Sequence, residues 1–109
     1  MAERDERETA YFALLRAREE LDLLRRYADH LAEELRRLRR AEREEAALRA
    51  TAPARMRRVL RGSDTELAEV IARRVALIED ELARLPGRIS AAEDFVVECE
   101  RHHDVLGGR

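Results

Sequence analysis

The residue types able to do chemistry gather in one short run. Cys99, His102, His103 and Asp104 stand within six residues. On a helix Cys99 and His103 share a face at i,i+4, and Glu100 with His103 makes the Glu-x-x-His spacing used in di-iron helical bundles. Such a centre needs two of these pairs and two further carboxylates. The sequence contains no second Glu-x-x-His, so only a symmetric dimer would supply one. A structural zinc site asks for four ligands, and two or three local ones leave it incomplete. The run therefore reads as a half-buried cysteine beside polar histidines near a helix C-terminus, where the helix dipole favours imidazolium. No metal or other cofactor is expected.

Nucleophilic catalysis has as little to work with. Ser63 and Ser90 each stand where a helix N-cap is needed, Ser63 with Asp64, Thr65 and Glu66 behind it and Ser90 with Glu93. No His is placed in sequence to pair with either serine, and no Gly-rich phosphate loop is present. The chain is expected to be no enzyme and to take no small-molecule substrate.

Charge clustering is the more informative pattern. All 22 basic residues are Arg, which G+C-rich coding explains without any ligand. Coding bias does not explain their placement. Residues 36–61 hold ten Arg and three acids, net +7, between flanks of net −4 and −5. Arg36, Arg37, Arg39, Arg40, Arg43, Arg55, Arg57, Arg58 and Arg61 make this a basic region. Clustered guanidinium groups bind carboxylates bidentately and neutralise phosphates. An acidic protein partner and nucleic acid are the two ligand classes this implies; the bland reading is a solvated face paired locally with Glu42, Glu44 and Glu45. No aromatic residue interleaves the arginines, which disfavours stacking on single-stranded bases. The segment 53–79 has the outline of a helix-turn-helix, but Asp64, Glu66 and Glu69 would set acids against phosphates.

The element that positions these arginines is one long helix. Residues 3–49 contain neither Gly nor Pro. Apolar residues recur at Ala10, Leu14, Ala17, Leu21, Leu24, Ala28, Leu31, Leu35 and Leu38, in alternating steps of 4 and 3. That is a heptad repeat with apolar a and d positions. At about 1.5 Å per residue the helix would run roughly 70 Å, which suits an elongated or oligomeric architecture. With Leu14 at a, position g holds Glu20 and Glu34, and position e holds Arg18, Arg25 and Arg39. A parallel second copy would pair Glu20 with Arg25 and Glu34 with Arg39; an antiparallel copy would oppose arginines. The seam Leu14, Leu21, Leu24, Leu31, Leu35 and Leu38 is thus a candidate oligomer interface, unless later helices of the same chain fill it. Tyr11, Phe12, Leu15 and Leu23 lie off the seam, so this part of the helix needs cover from more than one side.

Shorter helices are predicted to follow. Residues 50–63 form a connector, with Pro53 opening and Gly62 closing a short helix. Another spans about 64–85 and stops at Pro86-Gly87, and a last one spans about 90–106. The expected fold is all-α: a single domain, 1–109, in which a coiled-coil-like helix receives shorter helices as a hairpin or three-to-four-helix bundle. Its core is thin, since 18 of the apolar residues are Ala, so association is expected to add stability. The single cysteine, a charged N-terminal stretch and the want of a long apolar run predict a cytoplasmic protein with no membrane contact. The function these features predict is a self-associating, non-enzymatic scaffold or adaptor presenting its Arg-rich region. A small nucleic-acid-binding protein is the alternative, and a metal-binding bundle assembled between chains is the third.

Overall fold

The computed structural model describes residues 2–107, with side chains for all of these except 2, 3, 57 and 59–65. Two helices, α1 (Ala2–Thr51) and α2 (Ala54–Gly107), make up the fold. Among the described residues there is no strand. The all-α architecture with a long N-terminal helix is as the heptad pattern predicts.

The connector shrinks from fourteen residues to Ala52 and Pro53. The Thr51 hydroxyl donates to the Ala47 carbonyl at 2.9 Å, occupying one of the acceptors that the end of α1 leaves free. Pro53, with its fixed φ and no N–H, leads straight into α2, and the Met56 N–H donates to its carbonyl at 2.9 Å.

Neither Gly62 nor Pro86-Gly87 stops the second helix. Positions 63, 64 and 90 lie inside α2 rather than at N-caps. At Pro86-Gly87 the physical reason is an apolar stripe that runs through the break. Ala68, Ile71, Val75, Ile78, Leu82, Leu85, Ile89, Ala92, Val96, Cys99, His103 and Leu106 alternate steps of 3 and 4 without a slip, and each is buried or half-buried. Stopping at Pro86 would turn Ile89 to Val96 off that line. A proline inside a helix costs about 3 kcal/mol and a glycine about 1. Each fully buried Leu, Ile or Val contributes about 1.5–3 kcal/mol, and Leu85 and Val96 on either side are both buried. Continuity keeps Ile89, Ala92, Val96 and Cys99 on the packed face, which offsets a cost of that size.

The chain packs as two compact units. One joins the segment up to Asp29 with that from Arg84 onward; the second is His30–Ala83. In the first, Leu14, Ala17, Leu21 and Val96 form a buried cluster against which Ile89, Ala92 and Cys99 pack. Alanines at 17 and 92 let the helices approach closely. In the second, Leu31, Val75 and Ile78 are buried, and Leu35, Leu38, Ile71 and Leu82 are half-buried. The leucine seam of α1 is therefore covered, in each unit, by α2 of the same chain.

The flanking charges follow the same rule. Arg18 pairs with Glu100 at 3.5 Å and Arg25 with Glu93 at 3.8 Å in the first unit. In the second, Arg39 pairs with Glu79, and Arg74 grips Glu34 through two hydrogen bonds of 2.9 and 3.1 Å. The e-position arginines and g-position glutamate that suit a parallel second copy are used here between α1 and α2. Exposed pairs of this kind are each worth only about 0.2–1 kcal/mol. Their contribution is to favour one register over its neighbours.

Gly87 offers a direct test of helix continuity. It does not adopt positive φ, and a Cβ built on it meets nothing within 4 Å. Gly87→Ala is expected to stabilise the protein by about 1 kcal/mol, raising Tm by roughly 4–8 °C. Thermal melts followed by circular dichroism check this; a lowered Tm would mean that position 87 is needed as a break.

Candidate functional site

The arginines of the basic region separate into three kinds. Arg36, Arg39, Arg40 and Arg43 fall on one flank of α1, since steps of 3, 4 and 7 residues return to the same side of a helix. Together with Leu35 they line a surface hollow of about 330 Å³. Leu35 is half-buried and forms its apolar floor, while the four guanidinium groups, all exposed, form its walls. Arg37 lies outside this hollow, and Arg55 and Arg58 are exposed beyond the connector. The side chains of Arg57 and Arg61 lie outside the described residues. Of the nine arginines expected from sequence, four are thus brought together.

Local pairing takes up part of this row. Arg36 contacts Glu33 at 3.3 Å, one turn back, and Arg39 is held by Glu79. Among the described residues Arg40 and Arg43 form no ion pair. Glu45 is engaged by Arg49 at 2.9 Å rather than by Arg43. Glu42, at the next position of the α1 stripe, has one carboxylate oxygen buried without a hydrogen bond among the described residues. Among the described residues the row thus keeps Arg40 and Arg43 without an ion pair beside Leu35.

The Cys-His run does not converge. Cys99 faces the core of its unit, whereas His102 is exposed. His103 is half-buried, with its ring 5.9 Å from that of Tyr11 and its Nδ1 3.9 Å from Asp104. Among the described residues no three His, Cys, Asp or Glu side chains are grouped as a metal site.

A second feature stands out from the exposure pattern. All four aromatic residues of the chain belong to the first unit, and all are exposed: Tyr11, Phe12, Tyr27 and Phe95. Tyr11 and Phe12 meet edge to face at 5.7 Å. Leu15 and Leu23 are exposed beside them. The off-seam positions in the heptad analysis already carried this signal; Leu35 as a floor residue did not show, because the heptad assigns it wholly to the seam.

Comparisons with protein families, with characterised proteins and with solved structures found no match for this chain. No helix among the described residues is long and apolar enough to cross a membrane.

The Glu34 carboxyl is held below the usual glutamate range, first by its hydrogen bond from Arg74 and then by the positive charges of Arg74, His30 and Arg37. A carboxyl whose pKa is lowered by folding adds stability above its unfolded value. That stability is lost as pH falls from about 4.5 through the lowered folded value. Glu34→Gln is expected to flatten the loss of stability across this window, as read from urea midpoints at pH 7, 4.5 and 3. Curves that keep the wild-type slope would remove the Arg74–Glu34 pair from the account of acid stability.

Proposed function

We propose that this chain is a helical scaffold or adaptor without a catalytic centre, which associates with its own copies and presents the Arg36–Arg43 row to an acidic protein segment. One observation carries the reading: four exposed guanidinium groups wall a hollow whose floor is Leu35. A partner that fits has carboxylates for the walls and an apolar side chain for the floor, as an acidic amphipathic helix does. Arginine suits this because its fork meets a carboxylate with two parallel hydrogen bonds.

Duplex nucleic acid is the competing ligand. Phosphates would engage Arg40 and Arg43 as carboxylates would. An apolar floor, however, adds nothing to phosphate binding. This point favours protein.

The variant Arg36→Glu, Arg40→Glu, Arg43→Glu decides between them. Arg39 is left in place because it joins α1 to α2. All three positions are exposed, so folding stability should change by less than about 1 kcal/mol for each. Nuclease-treated pull-downs are expected to recover an acidic protein with wild type and to lose it with the variant. If instead wild type binds duplex DNA near physiological salt, log affinity should fall by about 0.9 per phosphate neutralised per unit of log salt, and the variant should flatten that slope. Identical partners and salt behaviour in both proteins would leave the row as solvated surface.

A further inference from the structure

On the side of α1 turned away from its core, a second stripe repeats the steps of the first. Phe12, Arg16, Glu19 and Leu23 stand at intervals of 4, 3 and 4, and all four are exposed. Phe12 keeps 63% and Leu23 57% of its accessible surface, high values for large apolar side chains. Between them Arg16 and Glu19 form no ion pair among the described residues, although Arg and Glu elsewhere on this helix pair at i,i+3 or i,i+4. Thr9, Phe12, Ala13, Leu15, Arg16 and Glu19 line a hollow of about 650 Å³ on this face.

The order apolar, positive, negative, apolar is self-complementary when reversed. An antiparallel second copy sets Phe12 against the other chain's Leu23, and Arg16 against its Glu19. Two-fold symmetry then makes each contact twice. Turned parallel, the same stripe opposes arginine to arginine and glutamate to glutamate. We propose that two copies of this chain associate antiparallel through the Phe12–Leu23 stripe of α1, with Leu23 of each entering the hollow bounded by Phe12, Leu15, Arg16 and Glu19 of the other. This rests on the self-association in the scaffold reading and not on the arginine row. The α1 seam leucines are covered by α2, so a second copy meets the faces that remain exposed. Interfaces of this kind place aromatic and aliphatic anchors at the centre, while charges fix orientation.

Charge reversal tests it without touching either core. In Arg16→Glu, acids would face acids across the two-fold, and in Glu19→Arg, arginines would face arginines. Each single variant is expected to weaken the dimer by roughly tenfold or more in sedimentation equilibrium at low salt. The double variant Arg16→Glu, Glu19→Arg restores both pairs and should regain wild-type association. A 1:1 mixture of the two single variants should form heterodimers. Helix content by circular dichroism should stay unchanged throughout, because both side chains are exposed. Phe12→Asp gives an independent arm and should also yield monomers. A wild-type chain that is monomeric at high micromolar concentration would overturn both this interface and the self-association it rests on. A wild-type oligomer indifferent to all four variants would overturn this interface alone and return the search to other surfaces.

Discussion

Everything in this protein depends on one lateral contact, the apolar stripe of α1 lying against the apolar stripe of α2. A pair of helices has no second layer to bury its outer faces. Among the described residues only nine hydrophobic side chains are buried, two of them alanines, and no polar or charged residue joins them. Each large member of the seam therefore carries a greater share of the total stability than it would in a thick core. Isolated helices in water are marginal even with favourable sequences. The seam is what holds α1 and α2 in helical form at all, and it is why α2 runs through Pro86-Gly87.

Leucines at both a and d positions specify proximity but little else, and charge supplies the direction. In the first unit arginines of α1 face glutamates of α2, as Arg18 does Glu100 and Arg25 does Glu93. In the second unit Arg39 faces Glu79, and on the opposite flank the signs exchange, with Glu34 of α1 facing Arg74 of α2. A shift of register by one heptad would break these pairs, setting Arg39 opposite Pro86 or Ala72 in place of Glu79. Weak exposed pairs thus select among arrangements that the apolar residues alone would leave nearly equal in energy.

Much of this is legible in the residues, and each departure from them has a physical cause. The extent of α1 follows from the want of Gly and Pro, and its heptads up to Leu38 mark the face that packs. At Pro86-Gly87 the local breakers predict a stop, and periodicity outweighs them. Leu82, Leu85, Ile89 and Ala92 keep the heptad phase across the proline, and that phase was the better guide. The e and g charges were visible too, but their signs suit two arrangements: a parallel copy, or a second helix of the same chain carrying the matching charges. Only α2 read in heptads, with Glu79, Glu93 and Glu100 on one flank and Arg74 on the other, separates them. At the candidate site, net charge located the basic region. It could not show that Arg36, Arg39, Arg40 and Arg43 enclose Leu35 while Arg37 does not, because that depends on the angle at which α1 lies on its partner.

The two-residue connector sets an order of assembly. The Arg39–Glu79 pair closes 40 residues of chain, while the hydrogen bond from Arg7 to the Leu106 carbonyl closes 99. Loop-closure entropy grows with the logarithm of length, so the longer closure made first would cost roughly 0.8 kcal/mol more. Contacts nearest Ala52-Pro53 form most cheaply, and each one shortens the loop left for the next. On the ribosome the His30–Ala83 segment is complete before Arg84 is added, so its helices can zip together early. The stripe from Ala10 to Leu21 has to wait, bare, until Leu85 to Val96 emerge. That interval, rather than the finished structure, is when these leucines are open to the wrong partner.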